Sequence, residues 1–146
     1  KYLPKKNDIV IHLRIGDIIK LDKNKKFNFI RNNKLVYGYS SDVYKKLFDK
    51  DFNNKSINKI TRIHLVYGAH LKKNLKISKL YIDEIIKLLK SYNFDVKLFD
   101  NFNPDHAYIF MVNAKKFIKT GGGFSRVISN HIKYKGGKIY DPKDYQ

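Results

Sequence analysis

Two short segments of this 146-residue chain combine residue types that act together in anion chemistry. The first is IHLRIGD (Ile11–Asp17), in which His12 and Arg14 alternate with Ile11, Leu13 and Ile15. In an extended segment, period-two geometry puts His12 and Arg14 on the same side. The planar guanidinium of Arg14 makes paired hydrogen bonds to phosphate oxygens, Gly16 lets backbone approach a ligand closely, and Asp17 can hold Arg14 or cap the next element. The second segment is TGGGFSR (Thr120–Arg126). Glycines running into a helix start offer backbone N–H groups and the positive end of the helix dipole to a phosphate. Ser125 adds a hydroxyl there, and Arg126 or Lys119 a positive charge. Each segment also has a plainer reading. Arg14 and Asp17 can form an internal ion pair beside a core His12, and the glycines can be a tight strand-to-helix connection. Neither segment is a P-loop or a GxGxxG dinucleotide turn.

For the two segments to act together, the surrounding elements must bring them to one place. Short β-like runs are predicted at Asp8–Arg14, Arg62–Tyr67, Phe94–Phe99, Phe117–Thr120 and Lys138–Tyr140. Helical spacing is predicted at Ser41–Asp51, Ser78–Tyr92 (behind a Ser78 N-cap), Pro104–Lys115 and Phe124–Tyr134. The polar stretch Lys20–Lys34 has no period and reads as a loop. Strand and helix alternate along the whole chain, so residues 1–146 read as one α/β domain. The expected architecture is a Rossmann-like, three-layer α/β/α domain with a mainly parallel five-stranded sheet. In the strand order 3-2-1-4-5, strands 1 and 4 are neighbours and ligands bind at their carboxyl ends. His12, Arg14, Gly16 and Asp17 then meet Gly122, Gly123, Phe124, Ser125 and Arg126 across one crevice, as a clamp for a diphosphate.

The other polar residues have quieter roles. His64 lies inside the second predicted strand and reads as structural. His70 follows that strand at the ligand-facing edge, and Asp100 and Asp105 flank the exit of the third, so His70 and Asp105 are candidates for a base or ribose. Tyr2, Tyr37, Tyr39 and Tyr44 read as packing residues. No His, Asp or Glu cluster has metal-ligand spacing, no Ser-His-Asp order is evident, and no metal or cofactor is expected. The absence of cysteine excludes disulfides and thiolate sites, and the longest apolar runs, such as Ile9–Ile11, are too short to span a bilayer. The formal charge of +18 comes from 31 basic residues, of which only Arg14, Arg31, Arg62 and Arg126 are arginines. Lysines scattered along a Lys-, Ile- and Asn-rich chain describe a solvated surface better than a nucleic-acid face, which concentrates charge and leans on arginine. The first residue is not Met, which suggests a trimmed chain or an excised domain.

The motif Ile11–Asp17 resembles the HxRxGD motif of GDP-fucose-dependent fucosyltransferases, both the α-1,2/α-1,6 groups and the protein O-fucosyltransferases. Asn113–Arg126 (NAKKFIKTGGGFSR) is similar to their downstream motif, an apolar strand running into an FS-type turn and a helix. The resemblance spans roughly Lys6 to Tyr140, although only the two motifs are sharp. It implies the carboxy-terminal, donor-binding half of a GT-B enzyme that transfers fucose with inversion and without a divalent metal. It implies further that Arg14 contacts the β-phosphate and assists its departure, with His12 beside the nucleotide. Ser125 and the backbone of Gly122–Phe124 would hold the diphosphate, a glycan or protein would be the acceptor, and an amino-terminal acceptor half is missing from the chain. The chain departs from that pattern in its turn and at one helix position. Its turn reads GGGFS where serines are common, and Ala107 stands where the family places an aspartate, with Asp105 as a shifted substitute. The alternative is a catalytically silent α/β domain that binds a nucleotide, glycan or protein.

Overall fold

The computed structural model describes residues 2–15, 18–29, 31–32, 35–36, 38–52, 59–60, 62–68, 75–99 and 103–146. Five parallel strands form the central sheet: β1 (Ile9–Leu13), β6 (Ile63–Tyr67), β7 (Val96–Phe99), β8 (Lys116–Ile118) and β9 (Lys138–Tyr140). Their order is β7-β6-β1-β8-β9, with Ile9 opposite Ile63 on one side and Lys116 on the other. The architecture is thus a Rossmann-like three-layer α/β fold, with β1 and β8 adjacent as the predicted order requires. The sequences IVIHL and IHLVY are buried at every position, because central parallel strands are covered on both faces.

Alternation along β1 divides the core. Ile9, Ile11 and Leu13 face helices α1 (Ser41–Asp51) and α2 (Leu75–Ser91), where they meet Val43, Leu47, Tyr81, Ile85 and Leu89. Val10 faces the other layer, where Phe110 and Met111 of α3 (Pro104–Val112) and Ile128 and Ile132 of α4 (Gly123–Tyr134) close over Phe117. Full burial of each such side chain contributes roughly 1.5–3 kcal/mol, so both layers hold the sheet. Close approach is needed where α4 returns to β9. A Cβ on Gly137 would lie 2.5 Å from Ile132 Cγ2.

At the amino ends of β1 and β6, polar groups are tied together inside this second layer. The Tyr2 hydroxyl donates to His64 Nδ1 at 2.9 Å, and His64 Nε2–H donates to Asp8 Oδ2 at 2.9 Å. The Lys5 N–H adds a 2.8 Å bond to the same carboxylate oxygen. Burial pulls the His64 imidazole below its usual range, opposed in part by the Asp8 carboxylate. The structural reading of His64 matches this placement.

Elsewhere the structure departs from expectation in register and in one whole segment. Within the stretch expected to be a loop, β2 (Ile19–Leu21) and β3 (Phe27–Phe29) pair antiparallel, and so do the short β4 (Arg31–Asn32) and β5 (Leu35–Val36). The cause is packing. Phe27 and Phe29 lie edge-on to Tyr81 at 5.5 and 5.3 Å, and Ile19 is fully buried. The Asp22 carboxylate closes the hairpin by accepting the N–H groups of Asn24 and Lys26. Helix α2 begins three residues early, at Leu75, so Ser78 does not cap it. Ser78 is instead fully buried, in phase with Ile82, Ile85 and Leu89 on the core stripe. Among the described tyrosines, Tyr39 and Tyr44 pack in the core as expected; Tyr37 lies outside the described residues.

Candidate functional site

The exit of β1 carries His12 on its last full turn of alternation and Arg14 one residue beyond the strand. His12 is 7% exposed and packs between two rings, tilted against Phe117 at 6.3 Å and edge-on to Phe124 at 5.8 Å. Its Nδ1 is buried with no hydrogen-bond partner. Burial, and secondarily the Arg14 guanidinium, lower the imidazole to about 4, so His12 is neutral near pH 7. A buried polar atom without a partner costs about 1–3 kcal/mol, which a ligand can recover by supplying the missing bond.

Across from it, the chain leaves β8 and turns into α4. Gly122 is the N-cap residue, at φ 100° and ψ 165°, a region essentially restricted to glycine. It brings no side-chain cap, so the first amides of α4 are not covered by one. Two hydroxyls brace the turn from inside. Thr120 N–H donates to Ser125 Oγ at 3.0 Å, and Ser129 Oγ donates to the Ser125 carbonyl at 2.7 Å.

Between these two pieces opens a cleft of about 240 Å³ at the carboxyl edge of the sheet. Arg14, His12, Gly121 and Gly122 line it. So do Pro104, Ala107 and Met111 of α3, at the i, i+3 and i+7 positions that share a helix face. Val66 and Gly68 from the end of β6 and the 44% exposed Phe124 belong to the same lining. No described lining residue is acidic. Among the described residues no group of three or more His, Asp or Glu could hold a metal.

The cleft therefore gathers His12, Arg14, Gly122 and Phe124 from segments more than a hundred residues apart. Other predicted site residues sit elsewhere. Ser125 is fully buried behind the turn, where its hydroxyl accepts the Thr120 amide, and it does not line the cleft. Gly123 and Arg126 are exposed on the first turn of α4 and are outside the lining. Lys119 approaches Asp141 at 3.9 Å. Asp105 is exposed in the first turn of α3, where its N–H donates to Asn103 Oδ1, while its neighbour Pro104 turns to the cleft. Gly16, Asp17, His70 and Asp100 lie outside the described residues. Motif reading marked Ala107 on this helix only through the family's aspartate position and missed Pro104 and Met111, which the 104/107/111 spacing places on the same face. Compared with protein-family models, curated proteins and solved structures, the chain matches none of them.

Proposed function

We propose that the cleft binds the diphosphate of a nucleotide sugar, and that the chain is the donor-binding part of a fucosyltransferase-like glycosyltransferase using GDP-fucose. One observation carries the reading: Arg14, the neutral His12 with its unpartnered Nδ1, and the glycine-capped start of α4 line a single cleft at the carboxyl edge of a parallel sheet. Arg14 and the helix amides are donors of the kind a diphosphate needs, and His12 joins them in the tautomer that carries its proton on Nδ1. Arg14 takes phosphate oxygens through paired hydrogen bonds, and the amides after Gly122 meet the remaining charge. In the transfer, an acceptor hydroxyl attacks the anomeric carbon from the opposite face and the bond from that carbon to the β-phosphate oxygen breaks. The electron pair leaves on the diphosphate, and the acceptor's proton ends in solvent. Fixed donors at the leaving diphosphate stabilise the charge that grows in the transition state.

A specific observation favours a second reading, a nucleotide-binding domain without activity of its own. None of the described lining residues is a carboxylate that could take the acceptor's proton. The two readings share the cleft and separate on turnover. Thermal-shift and calorimetric titration with GDP, GDP-fucose, GMP and guanosine tests the common part. Diphosphates are expected to stabilise the protein and guanosine to have no effect. Arg14→Ala is expected to weaken diphosphate binding about thirtyfold or more, the loss of a charge-assisted pair worth roughly 2–3 kcal/mol. Indifference of the wild-type protein to every diphosphate would remove both readings. Release of fucose or its transfer from GDP-fucose selects the first over the second.

A further inference from the structure

We propose that the outer face of α4 is a membrane-contact surface, which settles on an anionic lipid headgroup layer. The proposal is independent of what the cleft binds. The inner face of α4 packs as a core helix should, with Ser125, Ile128, Ser129 and Ile132 buried at i, i+3, i+4 and i+7. The outer face is not the polar one that such a helix normally turns to water. Phe124, Val127, His131 and Tyr134 fall at i, i+3, i+7 and i+10, one stripe about 15 Å long at 1.5 Å per residue. Of these, Phe124, Val127 and Tyr134 are 44, 52 and 91% exposed. Tyr108 of α3 packs against the stripe, its ring 6.2 Å from those of Phe124 and His131, and its neighbour Ile109 is 48% exposed.

Charge indicates what covers this face. From His106 to Tyr140 the sequence contains no Asp or Glu, while Arg126, Lys133 and Lys135 are exposed on α4 and at its end. A second copy of the chain would bring the same cations and the same net charge of +18, so like charges oppose self-pairing. A short acidic helix is also a poorer match, because it would meet only a few of the basic residues dispersed along the chain. An anionic lipid surface is an extended plane, and every Lys or Arg near it adds attraction. The same layer accommodates the apolar stripe. Phe and Val side chains enter below the headgroups, and tyrosine rings are enriched at that depth. The aliphatic stems of Lys and Arg lie along the boundary while their charged ends reach phosphate. Both contributions to interfacial binding, buried apolar area and attraction to anionic lipid, thus come from one face.

The chain has no tryptophan, so Val127→Trp places a single fluorescent reporter on the stripe, and Leu80→Trp places one on α2, in the opposite helical layer. Both positions are exposed, and Phe124 is kept because it also lines the cleft. Each variant is mixed with vesicles of phosphatidylcholine alone, or of phosphatidylcholine with about 30% phosphatidylserine, at physiological salt. Val127→Trp emission is expected to move to shorter wavelength with the anionic vesicles only, and Leu80→Trp emission to stay in place. Flotation with the anionic vesicles then compares two charge reversals of equal size. Arg126→Glu with Lys133→Glu is expected to weaken binding about thirtyfold, and Lys79→Glu with Lys87→Glu on α2 by less than about threefold. Circular dichroism and melting temperature verify that every variant is folded. Equal weakening by the two pairs would overturn the proposed face, since net charge alone would then drive binding. A shift at Leu80→Trp as large as that at Val127→Trp would overturn it too. Equal binding to the neutral vesicles would overturn the anionic partner. Failure to bind either vesicle removes the proposal outright and leaves the face to an acidic protein.

Discussion

Two buried histidines on neighbouring strands face the same helical layer, and their fates are opposite. His64, near the amino end of β6, has both ring nitrogens engaged, by the Tyr2 hydroxyl and the Asp8 carboxylate. His12, near the carboxyl end of β1, leaves Nδ1 buried and unpartnered beside an open cleft. Both are held below the usual histidine range, chiefly by burial. The difference lies in completion. At the amino edge the chain satisfies both ring nitrogens of His64 and Asp8 Oδ2, leaving Asp8 Oδ1 as the one carboxylate oxygen there without a partner, and the cluster serves stability. At the carboxyl edge the satisfaction is left open, which is where an incoming ligand can gain free energy.

The largest test of that contrast is removal of the histidine whose ring nitrogens are both engaged. His64→Ala leaves the Asp8 carboxylate buried without its main side-chain partner and is expected to cost about 3–5 kcal/mol in denaturant unfolding. A loss below about 1 kcal/mol would show that the cluster does not hold the amino edge. Pyrophosphate affinity of the folded fraction should be unchanged, since His64 is not a cleft residue.

Acid is the next test. A histidine whose folded value is depressed binds fewer protons folded than unfolded, so stability is complete above about pH 6.5 and falls as pH drops toward the folded value. For His12, with a folded value of about 4, the loss by pH 4 is on the order of 3 kcal/mol, and His64 adds in the same direction. Saturating pyrophosphate should shrink the His12 part, because an anion in the cleft favours the imidazolium. Unfolding curves between pH 7 and 4, with and without pyrophosphate, measure both effects. A ligand-independent acid slope would separate His12 from the anion site.

The smallest expected effect is on the stability of the free protein when His12 becomes apolar. His12→Leu removes an unpartnered polar atom from between two phenyl rings and should change stability by less than about 1 kcal/mol in either direction. It should also flatten the acid slope and weaken pyrophosphate. A large destabilisation would mean that His12 is a satisfied core residue like His64, and the contrast between the two edges would fail.

Much of the sheet was legible because short buried strands announce themselves locally. IVIHL and IHLVY are compact apolar runs, and the glycines after Thr120 mark the turn that the Gly122 dihedral angles require. The Phe27–Phe29 hairpin was hidden, since its strands are three residues long and its stabilisation comes from Tyr81, more than fifty residues away. Ser78 was misread as a cap for a related reason. A serine in phase with a core stripe has the same local sequence as one that ends it.

The sequence by itself determined the alternation of strands and helices, and with it the parallel order that sets Arg14 beside the Gly122 turn. Those features follow from local periodicity and from glycine's freedom at positive φ, which act within a few residues. Only the tertiary structure decided which polar groups stay open. Ser125 turned inward to brace the loop while Arg126, one residue on, turned to solvent. Pro104 took the cleft wall that Asp105 did not. One residue is about 100° around a helix, so the phase in which each helix docks assigns these roles, and that phase is set by packing across the whole sheet.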